Sequence, residues 1–328
     1  MPRRPILIDT DTASDDAVAL IMALRSPAVE IKAITTVAGN CGVEQATSNA
    51  LYTAELCGAN VPIYSGAARP LDRELHTATW FHGEDGLGDH GFTPSTRTAE
   101  PTHAVDALIE TVRANPGIEI ITLGPLTNLA LALQRYPALA QSISRLVIMG
   151  GAPCCEGNVT PAAEFNIWVD PEAARTVFNS GAPIEMIGWH LCRFDAVLNE
   201  REIQQILALN TPLADFAIRC NSTAAVAYHT QTGEHGISLP DPVAMSILLD
   251  PTLKLHTSRH YVAIECTSDL TRGMTVVDRL NRSADPRNSE VWSDTLRTSQ
   301  PIEVCWTIDT PGWKTALLSA LKASQPLP

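Results

Sequence analysis

Short apolar runs alternate with longer helical patterns along most of this chain, and that alternation restricts its fold more than any other feature. Strand-like runs lie at Ile6–Ile8, Ile31–Val37, Val61–Tyr64, Ile118–Leu123, Leu146–Met149 and Ile184–Ile187. Helical patterns lie between them at Asp15–Leu24, Gln45–Leu56, Ala104–Val112, Leu126–Gln134 and Pro171–Phe178. Strands separated by helices pair in parallel and are covered on both faces. We therefore predict an α/β fold for residues 1–328, a single domain with a mostly parallel central β-sheet flanked by helices.

Three stretches break this rhythm. Ala67–Thr98 is rich in glycine, histidine and charge, and long irregular loops in compact domains are usually functional. Glu200–Leu249 is helical in pattern with one interruption near Gly233–Pro240, whereas Asn281–Pro301 is polar and predicts a surface excursion. Lys314–Leu321 predicts a closing helix.

Composition excludes several classes of protein. The net charge of −13 disfavours nucleic acid as a partner, because an acidic surface repels phosphate backbones. None of the eight cysteines forms a C-x-x-C pair, so a zinc ribbon or a thioredoxin-type site is not indicated. No segment has the roughly 20 apolar residues of a membrane span, and the N-terminus does not resemble a signal peptide. We expect a reduced, cytoplasmic protein without a membrane partner.

Four carboxylates follow the first predicted strand, in the order Asp9, Asp11, Asp15 and Asp16. Ligands of open α/β sheets bind beyond the carboxyl ends of the strands, so these side chains should converge at such a site. Carboxylates that converge repel one another unless a cation neutralises them, and hard oxygen ligands favour Ca²⁺ or Mg²⁺ over zinc. A simpler interpretation makes Ser14 a helix N-cap with Asp15 and Asp16 at the positive helix end. That interpretation explains two acids but not four.

The acidic segment resembles the D-x-D-x-x-x-D-D signature of the inosine-uridine-preferring nucleoside hydrolase family, with Thr12-Ala13 in place of the usual Pro-Gly. A second block, Gly157 to Ala174, is similar to the family's G-N-x-[ST]-x-x-A-E-F-N…D-P-E-A-A region. Thr35–Asn40, Leu123–Asn128 and Leu239–Met245 resemble further family segments in the same order. The resemblance implies the family's open, Rossmann-like sheet.

The resemblance also implies an activity, the calcium-dependent hydrolysis of the N-glycosidic bond of ribonucleosides to free nucleobase and ribose. The implied Ca²⁺ ligands are Asp11, Asp15, Asp16, Asp241 and the main-chain oxygen of Leu123. The implied substrate-binding residues are Asn40, Asn158, Glu164, Asn166, Asp15 and Asp241, with Asn158 and Glu164 at the 5′-hydroxyl end and Asn166 on the 2′/3′ side. By the same resemblance Asp11 is the general base that activates water, and inversion at C1′ follows. Relatives are commonly homodimers or homotetramers and act in nucleoside catabolism and purine salvage.

One position departs from the family. Many relatives carry a histidine immediately before the last calcium aspartate, where it protonates the departing base, but this chain has Pro240. His82 is the replacement that we expect, because His82-Gly83-Glu84-Asp85-Gly86-Leu87 resembles the family's H-G-x-x-G-L/M loop. A lone loop histidine is otherwise most often solvated. Nothing in the sequence assigns a role to His229 or His235.

Other residues near these motifs have structural interpretations. His190 resembles a strand-end position of the relatives, and we interpret it as support for the site. Cys154-Cys155 is most simply explained by packing. Trp80, Trp189 and Tyr228 can each stack on a nucleobase or belong to the core, so the sequence does not separate purine from pyrimidine preference.

Two other functions fit part of the pattern. Asp9-x-Asp11 after a strand also resembles Mg²⁺-dependent phosphatases of the haloacid-dehalogenase type. Those enzymes need Thr or Val where this chain has Ala13, and they lack the Asp15-Asp16 pair. A non-catalytic ribonucleoside-binding protein is the third possibility, because Pro240 removes an acid; the retained carboxylates argue against it.

Overall fold

The computed structural model describes residues 3–322 and is built on one large sheet. The strands are β1 (Arg4–Thr10), β2 (Val29–Thr36), β3 (Ile63–Ser65), β4 (Ile118–Thr122), β5 (Ile143–Met149), β6 (Ile184–Ile187), β7 (Lys254–His260), β8 (Val262–Ile264), β9 (Thr275–Val277) and β10 (Ile302–Ile308). Eight of them form a sheet in the order β3-β2-β1-β4-β5-β6-β10-β7, and β8 pairs with β9. Every neighbour in the large sheet is parallel except the edge pair β10–β7.

Helices cover both faces of this sheet. They are α1 (Ser14–Leu24), α2 (Val43–Leu56), α3 (Thr79–His82), α4 (Ala104–Ala114), α5 (Thr127–Arg135), α6 (Phe165–Val169), α7 (Pro171–Phe178), α8 (Glu200–Leu207), α9 (Pro212–Arg219), α10 (Ser222–Thr232), α11 (Pro240–Leu249), α12 (Ser289–Thr298) and α13 (Thr310–Lys322). Alternate residues of β1 enter different cores, Ile6 and Ile8 on the side of α1 and α11, and Leu7 on the side of α4, α5 and α7. Because both faces of such a strand are buried, its sequence is a continuous apolar run.

The carboxylates that follow β1 lie where the strand order of the sheet reverses. β1 pairs with β2 on one side and with β4 on the other, and the next strand after each lies farther out. Asp9 is level with Thr35 of β2 and Thr122 of β4, so the carboxyl ends of the three strands meet at one edge. A cleft opens between diverging loops at such a switch point.

The parallel sheet flanked by helices confirms the predicted fold class, but several element predictions were wrong. The sequence interpretation left β7 to β10 unassigned, and β7 is hard to recognise because it is a half-exposed edge strand rich in polar residues. Glu200–Leu249 contains four helices, α8 to α11, with more breaks than the one predicted near Gly233–Pro240. The irregular stretches Ala67–Thr98 and Asn281–Pro301 contain α3 and α12. Among residues 3–322, no helix has both the length and the apolar character needed to cross a membrane.

Candidate active site

Three aspartates from two distant parts of the chain meet at the carboxyl edge of the sheet. Asp15 and Asp16 lie in the first turn of α1, and Asp241 lies in the first turn of α11, which packs against α1. One carboxylate oxygen from each lies within 4.8 Å of the other two, and all three side chains are buried. Asp11 lies in the loop between β1 and α1 and interacts with Asp16. Four buried carboxylates therefore share one small volume.

Burial and mutual repulsion make these carboxyl groups weak acids in the absence of a cation. Burial, followed by the charges of Asp16 and Asp15, raises the pKa of Asp11 well above its usual range. Burial and the charge of Asp16 raise the pKa of Asp15 to about 7. The pKa of Asp241 is also raised well above normal, by burial and then by the charges of Asp16, Asp15 and Asp11. A divalent cation would relieve this penalty.

Hydrogen bonds hold part of the cluster and leave specific oxygens free. Asp16 accepts from Thr10 Oγ1 at 2.5 Å and from the Ala13 N–H at 2.9 Å. Asp11 Oδ2 accepts from the Asn40 N–H at 2.6 Å. Within residues 3–322, Asp11 Oδ1 and Asp15 Oδ1 are buried without any hydrogen-bond partner. Unpaired buried carboxylate oxygens are costly, and oxygen atoms of this kind are the ligands that Ca²⁺ and Mg²⁺ prefer, so the residues fit a hard cation.

Asp9 has a different role from the other carboxylates. Its Oδ1 accepts from Thr35 Oγ1 at 2.5 Å and from Asn128 Nδ2 at 2.8 Å. Asn128 Nδ2 also donates to the Thr36 carbonyl at 2.9 Å. Asp9 thus ties β1 to β2 and α5 beneath the cluster.

The predicted Leu123 carbonyl lies at the same cleft and is positioned by Asn166. Asn166 Nδ2 donates to the Leu123 carbonyl at 2.7 Å and to the Met149 carbonyl at 3.2 Å. Leu123 and Asn166 line the cleft together with Asp15 and Asp241. Because both contacts use the amide nitrogen, the Asn166 side chain is oriented by the ends of β4 and β5.

The residues predicted to bind a polyol line the same cleft as the aspartates. Glu164 is buried, and its carboxylate accepts from the N–H groups of Gly151 at 2.8 Å, Asn166 at 2.9 Å and Ile167 at 3.3 Å. Asn158 Oδ1 accepts from the Phe165 N–H at 2.9 Å. Asn40, Asn158, Glu164 and Asn166 all line the cleft. Glu164 therefore also caps α6 and fixes the loop that carries the asparagines.

Comparison with known proteins places this arrangement in a family. The family model described as inosine-uridine preferring nucleoside hydrolase matches residues 6–312. The chain belongs to that family. It is 40% identical over 298 residues to the pyrimidine-specific ribonucleoside hydrolase RihA of Photobacterium profundum, covering 90% of this chain and 95% of the relative. It is 37% identical over 293 residues to the pyrimidine-specific ribonucleoside hydrolase RihB of Escherichia coli, covering 89% and 92%.

Solved structures agree with the sequence relatives. A plant nucleoside hydrolase superposes with a TM-score of 0.91 at 32% identity, covering 98% of this chain and all of that chain. The purine-preferring ribonucleoside hydrolase of Gardnerella vaginalis superposes with a TM-score of 0.85 at 32% identity, covering 97% and 99%. The chain is therefore a nucleoside hydrolase and an N-glycosyl hydrolase, and a haloacid-dehalogenase-type phosphatase is not favoured.

In this nucleoside hydrolase His82 reaches the cleft from the end of α3. Its Nδ1 lies 2.8 Å from Ser14 Oγ and 3.9 Å from Asp15 Oδ1. Burial lowers the pKa of His82 to about 3. The ring is therefore neutral at physiological pH, and the Ser14 contact fixes its orientation.

The remaining wall of the nucleoside hydrolase cleft comes mainly from α3 and α10. It is lined by Trp80, Phe81, Trp189, Asn221, Ala224, Gln231, Ser238 and Pro240. Sequence reasoning missed Asn221, Gln231 and Ser238. The spacing of Asn221, Ala224, Tyr228 and Gln231 places them on one face of a helix, which was the available signal.

Other residues considered from the sequence lie outside the cleft lining. Tyr228 is buried beside Trp189 at a ring distance of 6.2 Å, and its hydroxyl donates to Glu234. His229 and His235 stack on each other with ring centroids 3.9 Å apart. Cys154 is exposed and Cys155 is half-buried. His190 Nε2 lies 3.1 Å from the Cys305 carbonyl, and its ring lies 5.9 Å from that of Trp306.

Proposed function

We propose that this nucleoside hydrolase cleaves the N-glycosidic bond of ribonucleosides with water in a Ca²⁺-dependent reaction. The observation that carries the proposal is the meeting of Asp15, Asp16 and Asp241 oxygens within 4.8 Å, beside unpaired oxygens of Asp11 and Asp15. The proposed ligands are Asp11, Asp15, Asp16, Asp241 and the Leu123 carbonyl. A set of several carboxylates and one carbonyl supports Ca²⁺, which accepts more protein oxygens than Mg²⁺ does. When bound, the cation would lower the pKa of water and attract the hydroxyls of a sugar diol.

Asp11 is the proposed general base. The Asn40 N–H holds Asp11 Oδ2, and this contact leaves Oδ1 available to take a proton from the attacking water. As a carboxylate beside the proposed cation site, Asp11 is placed to accept that proton. The same negative charge would stabilise the positive charge that develops on ribose as the glycosidic bond breaks.

The asparagines are the proposed ribose-binding residues, together with Glu164, Asp15 and Asp241. Amide groups can donate to and accept from hydroxyls, so they suit an uncharged polyol. Asn166 and Asn158 are each held by one end of the amide, leaving the other end for a hydroxyl. Two contacts thus position these side chains before substrate arrives.

His82 is proposed to assist departure of the base. Because its ring is neutral, a Ser14 hydroxyl that donates to Nδ1 requires the proton to be on Nε2. Nε2–H is then a hydrogen-bond donor for the departing base. His82→Ala should slow cleavage of uridine or inosine far more than cleavage of p-nitrophenyl riboside, whose leaving group needs no proton. Equal losses on both substrates would contradict this role.

Pyrimidine ribonucleosides are the first substrates to test, because the relatives at 40% and 37% identity are named pyrimidine-specific. Purified protein should release free base and ribose from uridine, cytidine or inosine, measured by chromatography. EGTA should abolish release, and Ca²⁺ should restore it better than Mg²⁺. Asp11→Ala should remove turnover while circular dichroism stays unchanged. Phosphate release from nucleotides, or nucleoside binding without turnover in wild-type protein, would contradict the proposal.

We also propose a cytoplasmic homodimer or homotetramer without nucleic-acid or membrane partners. All eight cysteines are free thiols, which supports a reducing compartment. Light scattering of the purified protein tests the oligomeric state, and a monomeric mass at micromolar concentration would contradict it.

A further inference from the structure

Arg193 connects two loops of the molecule through its guanidinium group. The side chain is only 13% exposed. Its Nε donates to Glu234 Oε1 at 3.1 Å, and its Nη2 donates to the same oxygen at 2.5 Å. Its Nη1 donates to Glu156 Oε1. Because the planar guanidinium holds its donors in fixed directions, it can bind two carboxylates at once.

The Glu234 side of this connection is firmly held. Glu234 Oε2 accepts from the hydroxyl of Tyr228, whose ring is fully buried. Three residues farther along the chain, the backbone of Ile237 pairs with that of Leu198 through hydrogen bonds of 2.9 and 3.0 Å. Glu234 is therefore a fixed anchor that orients the guanidinium of Arg193.

The Glu156 side has few restraints of its own. Glu156 lies two residues before Asn158, and its side chain is 62% exposed. None of residues 154–160 is buried, so polar contacts rather than packing must hold this loop. Gln231 Nε2 donates to the Asn158 carbonyl, and the ion pair with Arg193 restrains the segment just before it.

A shift of Glu156 would be passed on to Asn158, because only Gly157 lies between them. The Gly157 N–H donates to the Pro161 carbonyl at 3.2 Å. A Cβ atom at Gly157 would lie 2.0 Å from the Ala163 carbonyl oxygen, so the backbone passes close to that group. Gly157 therefore has little space in which to absorb a movement of its neighbour.

Resting on the proposed function, we propose that Arg193 is a positioning residue that acts through Glu156 and places Asn158 for the 5′-hydroxyl of ribose. Arg193 itself is not among the residues that line the cleft. A binding group displaced by a fraction of an ångström loses much of its effect in a preorganised site. An ion pair that only stabilised the surface would leave the recognition of this hydroxyl unchanged.

The test compares uridine with 5′-deoxyuridine, which lacks the hydroxyl that Asn158 would bind. Wild-type kcat/KM should be higher for uridine. Glu156→Ala removes the ion pair at an exposed position, where folding should be unaffected. It should lower the preference for uridine about threefold, the size expected of one partly exposed ion pair. Arg193→Gln should lower this preference about tenfold, because it also releases Glu234.

Two further variants separate positioning from a general effect of substitution. Glu156→Gln keeps an oxygen that can accept from Arg193, so it should retain most of the preference for uridine. Glu30→Ala is the matched control, since Glu30 is 52% exposed and pairs with Lys32. It lies near the start of β2, at the opposite end of that strand from the cleft, and the preference should stay at the wild-type value.

Equal losses of kcat/KM on the two substrates in Glu156→Ala and Arg193→Gln would overturn the inference, because they would indicate a general structural role. Equal wild-type rates on uridine and 5′-deoxyuridine would also overturn it. If Arg193→Gln does not fold, Glu156→Ala decides the question alone. If wild-type enzyme cleaves neither uridine, cytidine nor inosine, the proposed function itself fails, which is a distinguishable result.

Discussion

Asp11 is positioned by two glycines as well as by hydrogen bonds. A Cβ atom at Gly39 would lie 2.1 Å from Asp11 Oδ2, and one at Gly124 would lie 2.6 Å from Asp11 Oδ1. Neither loop can carry a side chain without moving the carboxylate. The two loops after β2 and β4 therefore enclose the proposed base from both sides.

Gly39→Ala should lower kcat/KM at least a hundredfold, because a displacement of about 1 Å costs roughly that much in a preorganised site. Steady-state kinetics with circular dichroism measures the effect. Gly42→Ala is the control in the same loop, since the nearest atom to its Cβ would be Glu44 Oε2 at 3.8 Å. Near-normal activity of the Gly39→Ala enzyme would show that catalysis does not depend on the exact placement of the Asp11 carboxylate.

His190 makes stability depend on pH. Burial lowers its folded-state pKa from 6.5 to about 4, so between these values the unfolded chain binds more protons. The contribution is fully present above pH 6.5 and is lost as the pH falls toward 4. About 2 kcal/mol should disappear between pH 7 and pH 5.

His190→Gln removes this titration while its amide can still donate to the Cys305 carbonyl. Urea unfolding at pH 7 and pH 5 should show a smaller loss of unfolding free energy in the variant than in the wild type. The same pH dependence in both proteins would assign the effect to other groups.

At the scale of elements, α11 is held at both ends. Its first turn carries Asp241, and its last carbonyls accept from two arginines of the sheet. Arg145 donates to the carbonyls of Ile247 and Leu248 at 3.1 Å, and Arg4 donates to that of Leu249 at 2.9 Å. Arg145 also pairs with Glu185 at 2.7 Å and Glu119 at 3.4 Å. Cations suit the negative end of a helix.

Arg145→Met should lower the free energy of unfolding by about 1.5 to 3 kcal/mol, because it removes charged hydrogen bonds to Glu185 and to the Ile247 carbonyl while Lys254 and Arg4 still pair with Glu185 and Glu119. Chemical denaturation measures the change. Arg135→Met is the control, since the Arg135–Asp106 pair is about half exposed on both sides and should contribute less than about 1 kcal/mol. Similar losses of unfolding free energy in the two variants would show that the buried ion pairs stabilise the fold no more than the exposed pair does.

At the scale of the whole molecule, the carboxylate cluster links the start of the chain to residue 241. A cation bound there favours only the folded state, so Ca²⁺ at a hundred times its Kd should add about 2.7 kcal/mol of stability. Calorimetry with EGTA and then with excess Ca²⁺ should show a rise in Tm. Asp241→Asn should abolish most of that rise. A Ca²⁺ response that is unchanged in this variant would place the ion elsewhere.

Sequence patterns alone predicted much of this protein. The alternation of apolar runs and helical patterns predicted the parallel sheet, because both faces of such a sheet must be buried. The same reasoning predicted where Asp11, Asp15 and Asp16 lie, since residues after a strand must reach the carboxyl edge. The family likeness extended the prediction to Asp241 and the asparagines, and the structure brings these residues to one cleft.

Only the tertiary structure decided how these groups are paired. The engagement of the Glu164 carboxylate by three backbone N–H groups and the unpaired oxygen of Asn221 depend on loops that meet through space. The edge strand β7 is half exposed and polar, so its own residues do not show that it pairs with β10. Local sequence determines which face of an element is apolar, whereas the partner of each polar group depends on contacts between distant segments.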